Sequence, residues 1–347
     1  MPSVTIDAGV LAIPQDLTSA DDAVRYVGTL LDWSTLLREP WVAIYMSERA
    51  NEALLIDGLF PFRNELKRLF TVNRVTQFDV NTVAQVVDRL LQLTPSFETY
   101  FSIRDVLPEE LSAEPDILKL CCGAHLETDL ARCVVLIAIL GKLCQPPVSD
   151  HSLILRNAPD RIVRVRALVH ALEHDRTDLR EVPVPPDYFE GEVLVCDSFS
   201  GLIECLDETA ILQASADDVG VDTALRAALY KFRLGNGEDA EWDNVPDYRV
   251  GSAFLESFQR LHPTQPLSAR SLRAMIETLI RTNMAATHWL RIGDGANDAQ
   301  RVRQSDQARA WRRDIDRDHH LHYWQCDGGG IEFAWLSFPH DDMTIPE

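Results

Sequence analysis

The local structure of this chain is predicted most clearly over residues 320–338, which read HLHYWQCDGGGIEFAWLSF. Two runs rich in aromatic and aliphatic residues, His320–Cys326 and Ile331–Phe338, flank the sequence DGGG at 327–330. Glycine reaches the left-handed backbone conformations that tight turns need, and aromatic residues favour strands. The stretch therefore predicts a β-hairpin.

Residues Gln304–Ile315 are predicted to form a helix upstream of this hairpin. The rest of the chain has the pattern of a mostly helical body with short strands. Leu126–Leu143 is the clearest helix, because two prolines at 146 and 147 end it. Valines alternate with arginines over Ile162–Val169, which predicts a half-buried strand. Together these elements predict an α+β fold with a C-terminal helix plus β-hairpin module.

The double proline at 146 and 147 is also the best candidate for a linker. The predicted domains are a mainly helical N-terminal domain at 1–147, an α+β domain at 148–300, and the C-terminal module at 301–347. Near the N-terminus, Val4–Ile13 has the pattern of a strand or extended arm that ends at Pro14.

Composition excludes several classes of protein. The formal net charge of −21 over 347 residues argues against extended binding to double-stranded DNA, which needs clustered cations. A bilayer span needs about 20 apolar residues, far more than the longest apolar run, Cys133–Leu140, supplies. No signal peptide is expected, and the seven cysteines form no CxxC pair. We therefore expect a soluble cytoplasmic protein with reduced thiols.

The hairpin carries the first candidate site. Alternation along the strand places His320, His322 and Trp324 on one face. Imidazoles beside guanidinium groups are what metal-free cleavage of a phosphodiester requires, and an indole stacks on a base. The residues assigned to catalysis are His320, His322, Arg313 and His340. The residues assigned to binding are Trp324, Arg312 and Arg317. The alternative is a structural hairpin whose tryptophans pack on the body.

The second candidate site is the sequence GDGAND at 293–298. It resembles the acidic loop of the haloacid dehalogenase superfamily, in which a GDGxND sequence binds magnesium. The resemblance implies that Asp294 and Asp298 are metal ligands, since hard carboxylate oxygens suit Mg²⁺. The family's nucleophile motif is matched only by DVNT at 79–82, with asparagine in place of the second aspartate. The alternative is a loop that ends a helix.

A third pattern, HALEH at 170–174, fits the HxxEH sequence of inverted zinc peptidases. Two histidines four residues apart share a zinc ion only when they lie on one face of a helix. Since this stretch follows the alternating strand pattern, a junction between strand and helix is the other interpretation.

These patterns leave two classes of function. The first is a binding or regulatory protein that acts on a macromolecular partner, either protein or RNA, with the C-terminal hairpin as contact surface. The second is a hydrolase: a metal-independent RNase-like phosphodiesterase that uses the C-terminal histidines and arginines, or a Mg²⁺-dependent phosphohydrolase that uses the GDGAND loop. No P-loop, GxGxxG or GxSxG sequence is present. We expect the binding class without a cofactor, and Mg²⁺ is the cofactor of the alternative.

Overall fold

The computed structural model describes residues 1–15, 19–144, 151–177, 179, 187–293, 295, 298–339 and 342–347. The predicted α+β fold is confirmed by helices and mixed sheets. The chain divides into two compact units, Met1–Cys205 and Leu206–Glu347. This division differs from the predicted domains, because one sheet of the first unit contains strands from both sides of residue 147.

The first unit is built around a six-stranded sheet. Its strands are β1 (Ser3–Ile6), β2 (Ala43–Met46), β3 (Ile103–Glu114), β4 (His151–Ile154), β5 (Ile162–His174) and β6 (Asp187–Cys196). Their order across the sheet is β2-β1-β4-β6-β5-β3. The first four strands in that order run parallel, whereas β5 and β3 are antiparallel to their neighbours. Four carboxyl ends of parallel strands therefore lie along one edge.

The helices described in this unit are α1 (Ala8–Leu11), α2 (Ala20–Leu36), α3 (Ala50–Ile56), α4 (Arg63–Asn73), α5 (Val80–Leu93), α6 (Phe97–Phe101), α7 (Ala124–Leu143) and α8 (Phe199–Cys205). Helix α7 confirms the predicted helix, and its residues from Leu130 to Leu140 are almost all buried in the core. A helix that is apolar on all sides must be enclosed. No helix in the described part of the chain combines the length and apolarity that a membrane crossing requires.

Strand β5 confirms the alternation predicted for Ile162–Val169. Val163 and Val165 are buried in the core, while Arg164 and Arg166 on the other face lie near Glu192 and Glu190 of β6. The strand continues to His174, so the HxxEH sequence is extended backbone. The helical spacing that a zinc peptidase motif needs is absent there.

The second unit places helices on one face of a five-stranded sheet. The helices are α9 (Glu208–Ala214), α10 (Asp218–Gly235), α11 (Phe254–Arg260) and α12 (Gln265–Leu279). The strands are β7 (Tyr248–Val250), β8 (Thr287–Trp289), β9 (Arg309–Asp314), β10 (His320–Gln325) and β11 (Ile331–Ser337), in the order β7-β11-β10-β9-β8. The predicted hairpin is confirmed as β10 and β11, with Gly328 and Gly329 at φ values of 93° and 94° in its turn.

The predicted helix over Gln304–Ile315 is wrong, because Arg309–Asp314 is strand β9. This strand lies between β8 and β10, and Trp311 pairs across the sheet with Trp289 and with Tyr323. Cross-strand pairs of aromatic side chains stabilise a sheet. Pairing with strands elsewhere in the chain therefore decides the backbone conformation here, and the local sequence does not reveal it.

Arg313 of β9 is fully buried and organises the end of helix α12. Its guanidinium group donates hydrogen bonds to Glu277 Oε2 at 2.9 Å and to the Thr282 carbonyl at 2.8 Å. A helix leaves its last carbonyl groups without partners inside the helix. Arg313 thus satisfies one such carbonyl, that of Glu277, at 3.3 Å, in addition to its carboxylate.

We predict that Arg313→Met destabilises the second unit by about 3–5 kcal/mol, because it leaves the Glu277 carboxylate without its buried cation. Arg313→Met combined with Glu277→Met should recover part of that loss. Urea unfolding of the single and double variants measures the coupling. The control is Arg312→Met, next along the strand and half-buried, with an expected change below about 1 kcal/mol. A loss in the control as large as that in Arg313→Met would contradict this assignment.

Candidate functional site at the carboxyl edge of the first sheet

The residues assigned to catalysis on the hairpin are buried in the second unit. His320 and His322 are 1% and 0% exposed, and Trp324 is equally enclosed. His322 Nδ1 donates to the Thr344 carbonyl at 2.7 Å, and Trp324 Nε1 donates to the Pro346 carbonyl at 2.8 Å. Alternation along the strand correctly places these three side chains on one face, and the segment 342–347 covers that face.

His322 is held as a neutral imidazole. Because Nδ1 carries the donated hydrogen, Nε2 accepts the hydrogen bond from the Ser337 hydroxyl at 3.2 Å. Burial lowers the pKa of His322 to about 4. A buried imidazole with both nitrogens occupied has neither access to substrate nor a free position for a proton.

Arg313 does not join these histidines. It lies opposite Leu321 in the β9–β10 register, whereas His322 lies opposite Arg312. Since directly opposed residues share a face, Arg313 and His322 point to opposite sides of the sheet. Arg312 is half-buried and Arg317 is exposed, and His340 lies outside the described residues. The described members of the predicted site do not converge on one cleft.

The GDGAND loop is described only in part. Asp294 lies outside the described residues, and Asp298 Oδ2 accepts a hydrogen bond from the Gly295 amide at 2.8 Å. Within the described portion of the chain, no group of three or more His, Cys, Asp or Glu side chains is arranged to hold a metal ion. The magnesium site stays a prediction.

A different part of the molecule assembles polar side chains around a crevice. In the first unit, β1 and β4 are neighbours, and the connection that leaves β1 leads to β2 on one side, whereas the connection that leaves β4 leads to β5 on the other side. Ligands of open α/β sheets bind at such a switch point, outside the carboxyl ends of the strands. The residues that follow these ends are Asp7 after β1, Ser47 after β2, and Leu155, Arg156 and Asn157 after β4.

Asp7 is the titratable group at the centre of this edge. It caps helix α1 through a hydrogen bond that Oδ2 accepts from the Gly9 amide at 2.9 Å, and it is 9% exposed. Burial, and then the nearby charge of Asp129, raise the pKa of Asp7 to about 7, against the opposing effects of the Gly9 amide and Arg156. The carboxyl group is therefore poised to exchange a proton near neutral pH.

Two cavities meet at Arg156 and Asn157. The smaller, of about 30 Å³, is lined by Asp7 together with Cys121 and Leu155. The larger, of about 240 Å³, is an open cleft whose other lining residues are Val10, Pro14, Asp22, Arg25, Tyr26 and Thr29. The Arg156 guanidinium lies over the Tyr26 ring, 5.5 Å from its centroid, and donates a hydrogen bond to the Ala12 carbonyl. A cation thus lies between the Asp7 carboxyl group and the cleft.

A buried ionic network supports this edge from below. Arg132 of α7 donates to the Ser47 hydroxyl oxygen at 2.8 Å and to the carboxylates of Glu98 and Asp129. Ser47 in turn donates to Asp129 Oδ1 at 2.7 Å. Two carboxylates and one guanidinium leave one negative charge when all are ionised. The Asp129 carboxylate, whose own pKa is raised by burial, lies close enough to Asp7 to oppose its ionisation.

These residues were missed by the interpretation of the sequence. The pattern over Val4–Ile13 predicts an extended stretch that includes Asp7, although an aspartate before Ala8 and Gly9 is a good helix cap. Asp129 and Arg132 carry a clearer signal. They lie three residues apart in the most apolar helix of the chain, where a charged pair must be buried and needs partners from elsewhere.

Comparison with protein families, with curated proteins and with solved structures finds no match for this chain.

We predict that Asp7→Asn stabilises the first unit at alkaline pH. The pKa of Asp7 is raised in the folded state, so ionised Asp7 opposes folding, and this penalty grows as pH rises from the unfolded pKa to about 7. Asparagine keeps the helix cap. Relative to wild type, the variant should gain on the order of 2 kcal/mol between about pH 5.5 and about pH 8.5.

Scanning calorimetry at several pH values measures this gain. The matched control is Asp88→Asn, which removes an exposed carboxylate from α5 and should shift stability equally at both pH values. A gain in Asp7→Asn that does not depend on pH would show that Asp7 is already ionised in the folded protein at the lower pH.

Proposed function

We propose that this chain is a binding or regulatory protein acting on a macromolecular partner, and that the cleft beside Asp7 and Arg156 makes the decisive contact. The observation that carries the proposal is the position of these two side chains at the switch point of a parallel sheet, next to an open cavity of about 240 Å³. The sequence predicts the hairpin as the contact surface, but Trp324, its predicted aromatic contact residue, is enclosed.

The lining of the cleft favours an anionic group. Arg156, Arg25, Asn157 and Thr29 supply hydrogen-bond donors, and a guanidinium group binds a carboxylate or phosphate with two parallel hydrogen bonds. The Arg25 side chain is well exposed, with Asp22 3.7 Å away, so it can move to a ligand at little cost.

The charge of the whole chain favours a protein over RNA as the partner. A net charge of −21 repels a polyanion and attracts a basic surface. The partner we propose is therefore a protein with a basic surface that inserts one carboxylate into the cleft. A cytoplasmic location fits this proposal, because the seven cysteines are all free thiols.

Asp7 makes the proposed contact dependent on pH. An ionised Asp7 carboxylate repels an incoming anion, whereas the protonated form does not. Since the pKa of Asp7 is about 7, acidification through neutrality should strengthen binding.

The test uses a fluorescent lysine-rich peptide that contains one glutamate, with fluorescence anisotropy as the measurement. We expect affinity to rise by about tenfold from about pH 8 to about pH 6, as the protonated fraction of Asp7 rises. Asp7→Asn should remove this dependence on pH, and Arg156→Gln should weaken binding by roughly tenfold. The control is Arg164→Gln, an exposed arginine of β5 in the same unit, which should bind as wild type does.

The same experiment includes two comparisons. A peptide with glutamine in place of glutamate should bind weakly and without the effect of pH. A short single-stranded RNA should bind more weakly than the glutamate peptide; tighter RNA binding that needs Arg156 would make the partner RNA. If none of these probes binds at either pH, the proposal is refuted.

A phosphoester hydrolase at the same cleft is the second candidate, because a carboxyl group with a pKa near 7 suits general acid–base catalysis. RNA and a generic phosphate ester, each with and without EDTA, are the substrates to test. Turnover that is lost in Asp7→Asn would favour hydrolysis at this cleft. Turnover that survives EDTA and is lost in His322→Ala would favour the hairpin, and turnover that needs Mg²⁺ and is lost in Asp294→Asn would favour the GDGAND loop.

A further inference from the structure

Two cysteines of the first unit lie side by side at the end of β6. Cys196 is the last residue of that strand, and Cys205 is the last residue of helix α8, which returns onto the strand. Cys205 Sγ donates a hydrogen bond to the Val195 carbonyl oxygen at 3.6 Å, which places this thiol beside Cys196, the next residue of the strand. Gly201 permits this approach, because a Cβ there would lie only 3.2 Å from Cys196 Cβ.

The surroundings make the two sulfur atoms different. The hydrogen bond from Cys196, followed by the Arg161 guanidinium, lowers the pKa of Cys205 to about 7 against the effect of burial. The hydrogen bond to Cys205 and burial raise the pKa of Cys196. Cys205 is partly exposed, whereas Cys196 is 2% exposed. One thiol is therefore partly exposed and ionises near neutral pH, and the other is an enclosed thiol beside it.

We propose that Cys205 and Cys196 form a thiol pair that is oxidised by hydrogen peroxide to an intramolecular disulfide. This arrangement, a reachable thiolate beside a second cysteine, is the one that redox-sensing proteins use. The pair is separate from the cleft beside Asp7, so this inference does not depend on the proposed function.

The reaction has two balanced steps. The Cys205 thiolate attacks one oxygen of hydrogen peroxide, the O–O bond breaks, and Cys205 becomes a sulfenic acid as hydroxide leaves. The Cys196 sulfur then attacks the Cys205 sulfur, the S–S bond forms, and the hydroxyl group leaves with the thiol proton as water. The two sulfur atoms together lose two electrons, which the peroxide gains. A dithiol reductant reverses the change.

The test treats the full chain with graded hydrogen peroxide and follows it by intact mass and peptide mapping. We expect loss of two hydrogen atoms and a cross-link between the peptides of Cys196 and Cys205. Cys196→Ser should instead accumulate a sulfenic acid at Cys205 that dimedone traps, and Cys205→Ser should leave Cys196 reduced. Cys326→Ser is the control and should form the same disulfide as wild type.

A second measurement tests the role of Arg161 with variants that retain both cysteines. Arg161→Gln should slow the oxidation of Cys205 at pH 7 by roughly fivefold, because a rise of one unit from a pKa of about 7 lowers the thiolate fraction from about one half to about one tenth, and Arg161→Lys should restore part of the rate. The rate in wild type should rise with pH around a midpoint near 7. Faster oxidation of the exposed Cys122, or a disulfide that omits Cys205, would overturn the inference.

Discussion

The first unit depends on the burial of one arginine. Arg132 lies inside the most apolar helix of the chain, and its guanidinium group joins β2, α6 and α7 through Ser47, Glu98 and Asp129. Removal of one partner from a buried ionic network lowers the stability of the fold by more than the intact network adds to it, because the remaining charges stay desolvated. The helix, the end of β2 and the start of α6 are therefore held in a single arrangement. The acidic edge of the sheet takes its geometry from that arrangement.

The same network contributes to the shifted ionisation of Asp7 through Asp129, after the larger effect of burial. A carboxylate surrounded by water would ionise well below neutral pH. Asp7 is enclosed and lies near the Asp129 carboxylate, so burial first and this neighbouring charge second raise its pKa to about 7. Arg156 offsets part of this effect from the side of the cleft. The ionisation of Asp7 thus depends on the balance between burial and Asp129, which raise its pKa, and the Gly9 amide and Arg156, which lower it.

Much of the fold could be predicted from the sequence wherever periodicity and turn residues agree. Helix α7, the alternation in β5 and the hairpin of β10 and β11 follow this rule. Strand β9 could not be predicted, because its conformation depends on pairing with β8 and β10, which local propensity does not encode. Alternation also grouped His320, His322 and Trp324 correctly. It could not reveal that segment 342–347 covers them, because burial depends on chain far from the strand.

The candidate site could not be predicted for a related reason. Asp7 and Ser47 are distant in sequence and reach one edge because each follows a parallel strand, whereas Glu98 and Asp129 are brought to Ser47 by helices α6 and α7.

The connection between β4 and β5 contributes residues to both the cleft beside Asp7 and the Cys196–Cys205 pair. This connection carries Arg156, which acts on Asp7, and Arg161, which acts on Cys205. Between these two arginines, the Ala158 amide donates a hydrogen bond to the Asp197 carboxylate at 3.1 Å, which holds the connection in place. Each arginine favours the ionised form of its acidic neighbour. A displacement of this one connection would therefore raise the pKa of both Asp7 and Cys205, since each would lose its nearby cation. A disulfide at Cys196 would act on the same connection, because the Cys196 carbonyl accepts the Leu155 amide at 2.8 Å. The cleft and the thiol pair are distinct in chemistry but share one structural support.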